Sequence, residues 1–264
     1  MEKKRSIIQI DPKLVSPLHH SFFDPLEATL VGCLAVMNGD ACGHIFTDSL
    51  QEPTWVVVHE VAFGNMYLGG EVYRPSMRRL FGRLRHMGNI VVTMRPGDPR
   101  WQLLPHRPDY LHTRLDFSER LPQHGLQFFC SVPEGCELQR MDLKLIEQCF
   151  AKDLYLSMYG NAQQALRKGF GLCLTHAGEV LSEAFAGPAA HGCCQVAAAT
   201  HASHRRKGYA TLTCNRLLME VEQHGYHTYW NCAEGDLATI ALARKLGYLP
   251  QGECRLQARF DRYS

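Results

Sequence analysis

The order of apolar and polar positions is most regular in the second half of the chain. Apolar residues recur there at the spacing of one helix face, at Ala210, Cys214, Leu217, Leu218 and Val221. This spacing predicts an amphipathic helix over 209–224, which Gly225 ends. The next segment, 226–232, alternates with a period of two and predicts a strand.

Shorter apolar runs, bounded by glycine or turn residues, predict the remaining elements of this half. A helix is expected over 161–168, and a last helix runs from an N-cap at Asp236 to Leu246. Strands are expected over 170–175, 180–185, 195–201 and 252–260.

The first half shows the same mixture of strands and helices. Apolar runs predict strands over 30–37, 43–47, 54–61 and 89–94. A helix is expected over 76–86. The whole pattern is mixed α/β. The segment 121–137, which contains prolines and glycines, predicts a boundary between a first domain, residues 1–135, and a second, residues 136–264.

Composition restricts the classes of function. A hydrophobic fraction of 45% and a formal net charge of +2 are typical of a globular protein and give no support for a nucleic-acid partner. No run approaches the roughly 18 apolar residues of a membrane span, and no signal-peptide core follows the N-terminus. We therefore expect a cytoplasmic protein without a membrane partner. The eleven cysteines form no C-x-x-C pair and the fourteen histidines no H-x-x-x-H pair, so no metal is expected.

A basic turn precedes the amphipathic helix. It reads Arg205-Arg206-Lys207-Gly208-Tyr209-Ala210 and lies between a predicted strand and the helix. Unpaired N–H groups of the first helical turn and the helix dipole favour an anion there, and Gly208 and Ala210 permit close approach of a phosphate. The basic side chains add favourable charge around a pyrophosphate. The same residues are also compatible with a solvated helix start that binds nothing.

This turn resembles the acetyl-CoA-binding motif of the GNAT superfamily, [Q/R]-x-x-G-x-[G/A]. The later phrase Ala243-Arg244-Lys245-Leu246-Gly247-Tyr248 is similar to the superfamily's recurring A-x-K-L-G-F. The resemblance covers 170–260 and implies the GNAT acyl-CoA N-acyltransferase fold, a mixed α/β fold with acetyl-CoA as co-substrate. It also implies that Arg205, Arg206, Lys207, Gly208, Tyr209 and Ala210 bind the donor.

A narrower resemblance is to the two-part GNAT family that includes the zwittermicin A self-resistance acetyltransferase. The segment 230–239 is similar to that family's W-D-C-x-x-x-N-x-x-S, and Gly43-His44-Ile45-Phe46-Thr47-Asp48 with Glu52-Pro53 is similar to its G-x-x-x-x-D…N-P. The resemblance implies a GNAT-like N-terminal half that shapes the acceptor side and a second half that binds CoA. We assign Asn231, Asp236 and Thr239 to the donor site on this basis.

By analogy with the fold, the strands over 195–201 and 226–232 are expected to separate at one end. Backbone groups near Ala198, Ala199 and Thr200 would then pair with the pantetheine amides of the donor. The small side chains of 197–199 suit close approach of a cofactor, although they also suit an ordinary core strand.

The sequence departs from the superfamily's pattern at the acid and base of the reaction. Many GNAT enzymes carry a Glu base where this chain has Cys194 and Gln195, and a Tyr acid where it has Ala243. Glu183 is the remaining carboxylate on a central strand; it could act as base, bind a cationic substrate or face solvent. His201, at the end of the strand before the basic turn, is the second candidate base and could equally be structural.

The sequence thus predicts an N-acetyltransferase that acetylates a primary amine of a small molecule, such as an antibiotic-like metabolite, as a monomer or homodimer. The alternative is a CoA-binding sensor or interaction protein that has lost catalysis, which Gln195 and Ala243 favour. A weaker alternative is acylation of a protein or RNA amine. This function would need an open, strongly charged acceptor groove, and the near-neutral net charge gives no support for one.

Overall fold

A computed structural model describes residues 6–104, 108, 110–121, 131–250 and 255–260. The chain divides into two compact units. Unit 1 comprises Met1–Arg114 and Glu253–Ser264, and unit 2 comprises Leu115–Gly252.

The described helices and strands follow one another in mixed α/β order. They are β1 (Ile8–Ile10), α1 (Pro17–His20), α2 (Val31–Met37), β2 (Gly43–Thr47), β3 (Trp55–Glu60), β4 (Met66–Gly70), α3 (Arg74–Arg85), β5 (Ile90–Met94), β6 (Tyr110–Phe117), β7 (Glu119–Arg120), β8 (Cys136–Arg140), α4 (Leu143–Gln148), α5 (Lys152–Tyr159), α6 (Ala162–Lys168), β9 (Phe170–His176), β10 (Glu179–Ala186), β11 (Cys193–Thr200), α7 (Tyr209–Gln223), β12 (His227–Ala233), α8 (Leu237–Lys245), β13 (Tyr248–Leu249) and β14 (Arg255–Phe260). Short 3-10 turns occupy Pro12–Leu14, Ala28–Leu30, Pro99–Leu103 and Ala202–His204.

Unit 1 contains two antiparallel strand arrangements. The strands β1 to β4 pair in sequence order, and β14 pairs with β5 on one side and with β6 on the other. The amphipathic helix α3 buries Leu80 and Phe81 in a core that includes Phe260 of β14. The rings of Phe81 and Phe260 meet edge to face with their centroids 4.7 Å apart, an arrangement that aromatic pairs favour.

One predicted strand of unit 1 is a helix. The prediction over 30–37 is wrong, because Val31–Met37 forms α2. Every residue of α2 except Gly32 is buried, so the helix has no polar face and its sequence lacks the helical period. A short continuous apolar run cannot be assigned to helix or strand by periodicity alone.

Unit 2 is built on five strands in the order β12-β11-β10-β9-β8. The pair β11–β12 is parallel and the other three pairs are antiparallel. A two-residue antiparallel pair, β7 with β13, lies in the same unit. The predicted elements over 161–260 all appear with small shifts of their ends.

One face of this sheet, the α7 face, forms the main core of unit 2. Its buried side chains pack against those of α7 and α8 in one cluster: Ala184, Ala186, Cys194, Val196, Trp230, Cys232, Leu217, Leu218, Val221, Ile240 and Ala243. The apolar stripe of the amphipathic helix therefore points at the sheet, as the sequence pattern predicts.

The opposite face, the α5 face, is defined by strand register. Register partners and alternate residues of a strand share a face, which groups Cys173, Glu183, Gln195, Ala199, Tyr229 and Asn231. The α5 helix covers part of this face, where the ring centroids of Tyr155 and Phe185 lie 5.0 Å apart.

The end of the chain departs from the predicted division. The prediction assigns a strand over 252–260 to the second domain, but β14 pairs with β5 and β6 in unit 1, and residues 252–254 lie outside the described part of the chain. The unit boundary lies between Arg114 and Leu115, and most of the segment expected to hold it, 122–130, is outside the described residues. The acceptor and donor roles assigned to 1–135 and 136–264 stay predictions.

No helix among the described residues has the length and apolar character needed to cross a bilayer. No group of three or more His, Cys, Asp or Glu side chains in the described ranges is arranged to hold a metal ion.

The packing of α7 generates a stability prediction. Leu217 is fully buried in the α7 face, so Leu217→Ala should lower the free energy of unfolding by about 2–5 kcal/mol. Met219, two residues later on the same helix, is 44% exposed, and Met219→Ala should change it by about 0.5 kcal/mol or less. Urea unfolding followed by circular dichroism measures both. Equal losses in the two variants would contradict the assigned face.

Candidate functional site

The two parallel strands of unit 2 pair over only part of their length. The register joins three pairs: Cys193 with His227, Cys194 with Thr228, and Gln195 with Tyr229. Among the described residues of both strands the pairing ends there, although β11 continues to Thr200 and β12 to Ala233. We call the segments 196–200 and 230–233 the strand opening. Its facing backbone N–H and C=O groups require partners other than each other.

Hydrogen bonds to β10 show which backbone groups face the strand opening. The N–H of His201 donates to the carbonyl of Leu181 over 3.1 Å. The backbone N–H and C=O groups of odd-numbered residues in this segment therefore point toward β10. Because backbone groups alternate along a strand, Ala198 and Thr200 face the strand opening and Ala199 faces β10. Two of the three residues predicted to meet the donor through their backbone thus lie on the open side.

The start of α7 lies close along the chain to the end of β11. Gly208 precedes the helix in the left-handed region, with φ of 83°, and a Cβ built on it would meet no atom within 4 Å. The first helical bond is donated by Leu212 to the Gly208 carbonyl, so the N–H groups of 209–211 have no place in the helical ladder. No described side chain caps this end, and no acidic residue lies in the first turn. The helix end is suited to an anion.

The basic residues of the turn are exposed and partly held in place. The guanidinium Nε of Arg205 donates to the carbonyl of Thr200 over 3.3 Å, which ties the turn to the end of β11. The Lys207 ammonium lies 3.4 Å from Nδ1 of His204. Arg206 has a φ of 66°, a left-handed conformation that is costly for a residue with a Cβ. Such strain is typical of turns that serve a function.

Glu183 is buried rather than solvated. It lies on β10 with no exposed surface, and its two carboxylate oxygens accept the N–H groups of Phe150 (2.9 Å) and Ala151 (2.7 Å). Those residues directly precede α5, so the carboxylate anchors the start of that helix. The possibility that Glu183 faces solvent is thereby excluded.

Burial and hydrogen bonding act in opposite directions on Glu183. Burial raises the pKa of its carboxyl, and the backbone donors and the thiol of Cys149 counteract that rise only in part. The Sγ atoms of Cys149 and Cys173 lie 3.6 Å apart. The pKa of the Cys149 thiol is raised, first by its hydrogen bond to Cys173 and then by burial. This thiol therefore stays protonated near neutral pH and can act as a donor.

His201 lies just beyond β11 and is exposed. Its Nδ1 shares a hydrogen bond of 2.6 Å with the Ser203 hydroxyl. Its ring lies 5.3 Å from that of Phe150, measured between centroids, and 5.8 Å from that of His204. Since Phe150 is held by Glu183, the two residues predicted to be catalytic are linked through one aromatic side chain.

The three donor-site residues assigned from the narrower resemblance have different surroundings. Asp236 caps α8, and its carboxylate accepts the backbone N–H and the hydroxyl of Thr239. This confirms the predicted N-cap and gives both residues a structural role. Asn231 lies in the strand opening, where its Nδ2 donates to the phenol oxygen of Tyr229 over 3.0 Å.

The positions that usually carry the acid and base hold no such group. Burial raises the pKa of the Cys194 thiol to about 12, and Gln195 has no acidic function. Ala243 is fully buried in the α7 face. Neither position supplies a proton acceptor or a phenol.

Sequence reasoning missed the partner of Tyr229. The Tyr229 hydroxyl donates to the carboxylate of Asp116, and both residues are almost fully buried. Asp116 lies on β6, a strand that was not predicted. The alternation of Leu115, Asp116 and Phe117 before a chain turn was the signal that could have pointed to it.

Comparisons with known proteins agree on one family. The family described as GNAT acetyltransferase matches residues 20–256. A curated relative, "Uncharacterized N-acetyltransferase YdfB" of Bacillus subtilis (strain 168), is 29% identical over 119 residues, which is 44% of this chain and 46% of the relative. The match therefore spans less than half of that relative's length.

Solved structures show the same fold. A GCN5-related N-acetyltransferase-like protein from Streptococcus suis 89/1591 matches with a TM-score of 0.65 at 20% identity, over 84% of this chain and 90% of that one. A tandem GNAT protein from the clavulanic acid biosynthesis pathway matches with a TM-score of 0.55 at 13% identity, over 85% and 84%. The predicted mixed α/β fold is confirmed, and the chain belongs to the GNAT acetyltransferase family.

Proposed function

We propose that this protein transfers an acetyl group from acetyl-CoA to a primary amine of a small molecule, and that unit 2 binds the donor. The observation that carries the proposal is the strand opening, which is followed after a short turn by a helix start with unpaired N–H groups. One ligand with amide groups and a pyrophosphate satisfies both sets of backbone groups.

The residues present fit such a donor. The backbone groups of Ala198 and the N–H of Thr200 face the strand opening, where amides can pair with them, and Gly208 leaves open space at the helix start. Arg205, Arg206 and Lys207 place positive charge around it. When bound, acetyl-CoA would supply the thioester carbonyl that the amine attacks and, as the C–S bond breaks, the thiolate that leaves and takes up a proton to become the free thiol.

The chain's own residues have to hold the amine and accept its proton. We assign the role of proton acceptor to His201, because its imidazole is exposed beside the strand opening. Both oxygens of Glu183, in contrast, already accept backbone N–H groups. Glu183 then acts by fixing Phe150 and the start of α5. Much of the rate enhancement comes from holding the amine in place.

Unit 1 is assigned to recognition of the acceptor, since no turn with the [Q/R]-x-x-G-x-[G/A] pattern precedes a helix in it. The second candidate function is a CoA-binding sensor without catalysis. Gln195 and the buried Ala243 favour that reading because the usual base and acid are missing.

Release of CoA thiol from acetyl-CoA against a panel of amines, amino acids, polyamines and aminated antibiotics tests the proposal. Turnover with any member is expected. Tight acetyl-CoA binding without turnover on the whole panel would instead support the sensor.

Substitutions at the two glycines that flank α7 test the assignment of the turn 205–210 to the donor site. Gly208 and Gly225 have nearly equal φ, 83° and 82°, and neither has an atom within 4 Å of a built Cβ. The two Glu substitutions therefore bring the same strain and the same charge. Gly208→Glu should weaken acetyl-CoA binding at least about 100-fold by placing a carboxylate at the anion site, while Gly225→Glu should leave it within about twofold. Calorimetric titration measures both affinities. Unchanged binding by Gly208→Glu would show that the loop is assigned wrongly.

The proton acceptor is tested by pH–rate profiles. His201→Ala should lower kcat/KM about 100-fold near neutral pH and recover as pH rises toward the pKa of the amine. His176→Ala, a change at another exposed histidine ending a strand of unit 2, is the matched control and should behave as wild type.

Glu183→Gln separates positioning from base catalysis. If Glu183 positions α5, the amide loses one acceptor contact with the backbone and kcat/KM falls by a similar factor at every pH. Glu179→Gln, at an exposed position of the same strand, is the control. If kcat/KM of Glu183→Gln fell only at neutral and low pH while His201→Ala kept the wild-type profile, Glu183 and not His201 would be the base.

A further inference from the structure

A short chain of hydrogen bonds leads from the interior of unit 2 to the strand opening. The Tyr229 hydroxyl donates to Oδ1 of Asp116, and Nδ2 of Asn231 donates to the Tyr229 oxygen over 3.0 Å. Exposure is greatest at the Asn231 end of this series of hydrogen bonds: Asp116 is 2% and Tyr229 is 1% exposed, whereas Asn231 is half-buried. The buried end is therefore fixed, and the outer end lies where a ligand can reach.

The direction of each bond follows from the groups themselves. A carboxylate only accepts, so the one phenolic proton of Tyr229 goes to Asp116. The Tyr229 oxygen can then only accept from Asn231. Of the two ends of an Asn amide only the NH₂ donates, and the Asn231 amide therefore has one orientation.

The position of Asn231 on β12 brings its oriented amide to the proposed site. Tyr229 belongs to the last pair between β11 and β12, and Asn231 follows it by two residues on the same α5 face. Its side chain is therefore at the edge of the strand opening. The α5 face also carries Glu183, which anchors the segment that His201 packs against.

We propose that Asp116 and Tyr229 are positioning residues that hold the Asn231 amide with its NH₂ inward, so that its carbonyl oxygen accepts an N–H of the ligand. The inference rests on the proposed function and extends it to a named contact. An amide oxygen has two lone pairs, so it can accept from a ligand in addition to a protein donor. The N–H belongs either to a pantetheine amide of acetyl-CoA or to the acceptor amine.

A double-mutant cycle on the full-length protein tests whether Tyr229 acts through Asn231. Tyr229→Phe should lower kcat/KM about tenfold in the wild-type background, because the amide loses its fixed orientation. In the Asn231→Ala background the same change should cost less than about twofold, since nothing remains to be oriented. Additive losses would overturn the proposal and leave a structural role for Tyr229.

Tyr248→Phe is the matched control. Tyr248 is also 1% exposed, and its hydroxyl donates over 2.6 Å to Thr228, a β12 residue on the α7 face. Tyr248→Phe removes a buried phenol hydroxyl that is bonded to β12, and it leaves the contacts of Asn231 unchanged. Its effect should be the same in both backgrounds, and coupling to Asn231→Ala as strong as that of Tyr229→Phe would overturn the proposal.

Asn231→Asp gives a second route if Tyr229→Phe does not fold. A carboxylate presents an acceptor oxygen to the ligand N–H in either orientation, so Asn231→Asp should keep more activity than Asn231→Ala, which has no acceptor. Activity of Asn231→Asp as low as that of Asn231→Ala would overturn the proposal.

The KM values identify the source of the N–H. A rise confined to KM for acetyl-CoA assigns it to pantetheine, and a rise confined to KM for the amine assigns it to the acceptor. A wild type that neither binds acetyl-CoA nor turns over any amine would overturn the proposed function and this proposal together. An active wild type with an additive cycle would overturn only the proposal.

Discussion

The arrangement of unit 2 depends on where β11 and β12 stop pairing. A parallel pair that continued to Thr200 would satisfy its own backbone and leave no place for a ligand between the strands. Because the register ends at Gln195 and Tyr229, alternate backbone groups of β11 remain open, and the chain then turns directly into α7. The turn is held to the strand by the bond from Arg205 to the Thr200 carbonyl. The strand end and the helix start therefore form one local structure.

Local signals in the sequence were sufficient for the elements around this structure. Glycines with positive φ at 208 and 225 bound α7, the apolar stripe of that helix faces the sheet, and Asp236 caps α8 as expected. Each of these features is decided by residues within one or two turns of chain. The position of the helix start after β11 could be predicted for the same reason.

Features that depend on distant residues could not be predicted in this way. The run 31–37 has a helical backbone but is buried on all sides, so its sequence has no period. The strand β14 joins β5 and β6, and neither pairing leaves a local signal. Likewise, the burial of Glu183 depends on backbone donors at Phe150 and Ala151, more than thirty residues earlier. Sequence could name the carboxylate but not its surroundings.

Several buried carboxylates among the described residues accept hydrogen bonds from groups that carry no charge. Glu183 accepts two backbone N–H groups, Asp116 accepts the Tyr229 phenol, and in unit 1 Glu60 accepts from Asn65 and Tyr67. Burying a charge costs several kcal/mol unless such bonds compensate for it, and the cost rises steeply when a donor is lost. Groups of this kind hold their neighbours in one geometry. Under the proposed function, a protein with Gln195 and Ala243 at the usual positions of the base and the acid depends more on fixed geometry than on proton transfer. The two carboxylates on the α5 side of unit 2 are placed to provide it, one at the start of α5 and the other behind the strand opening.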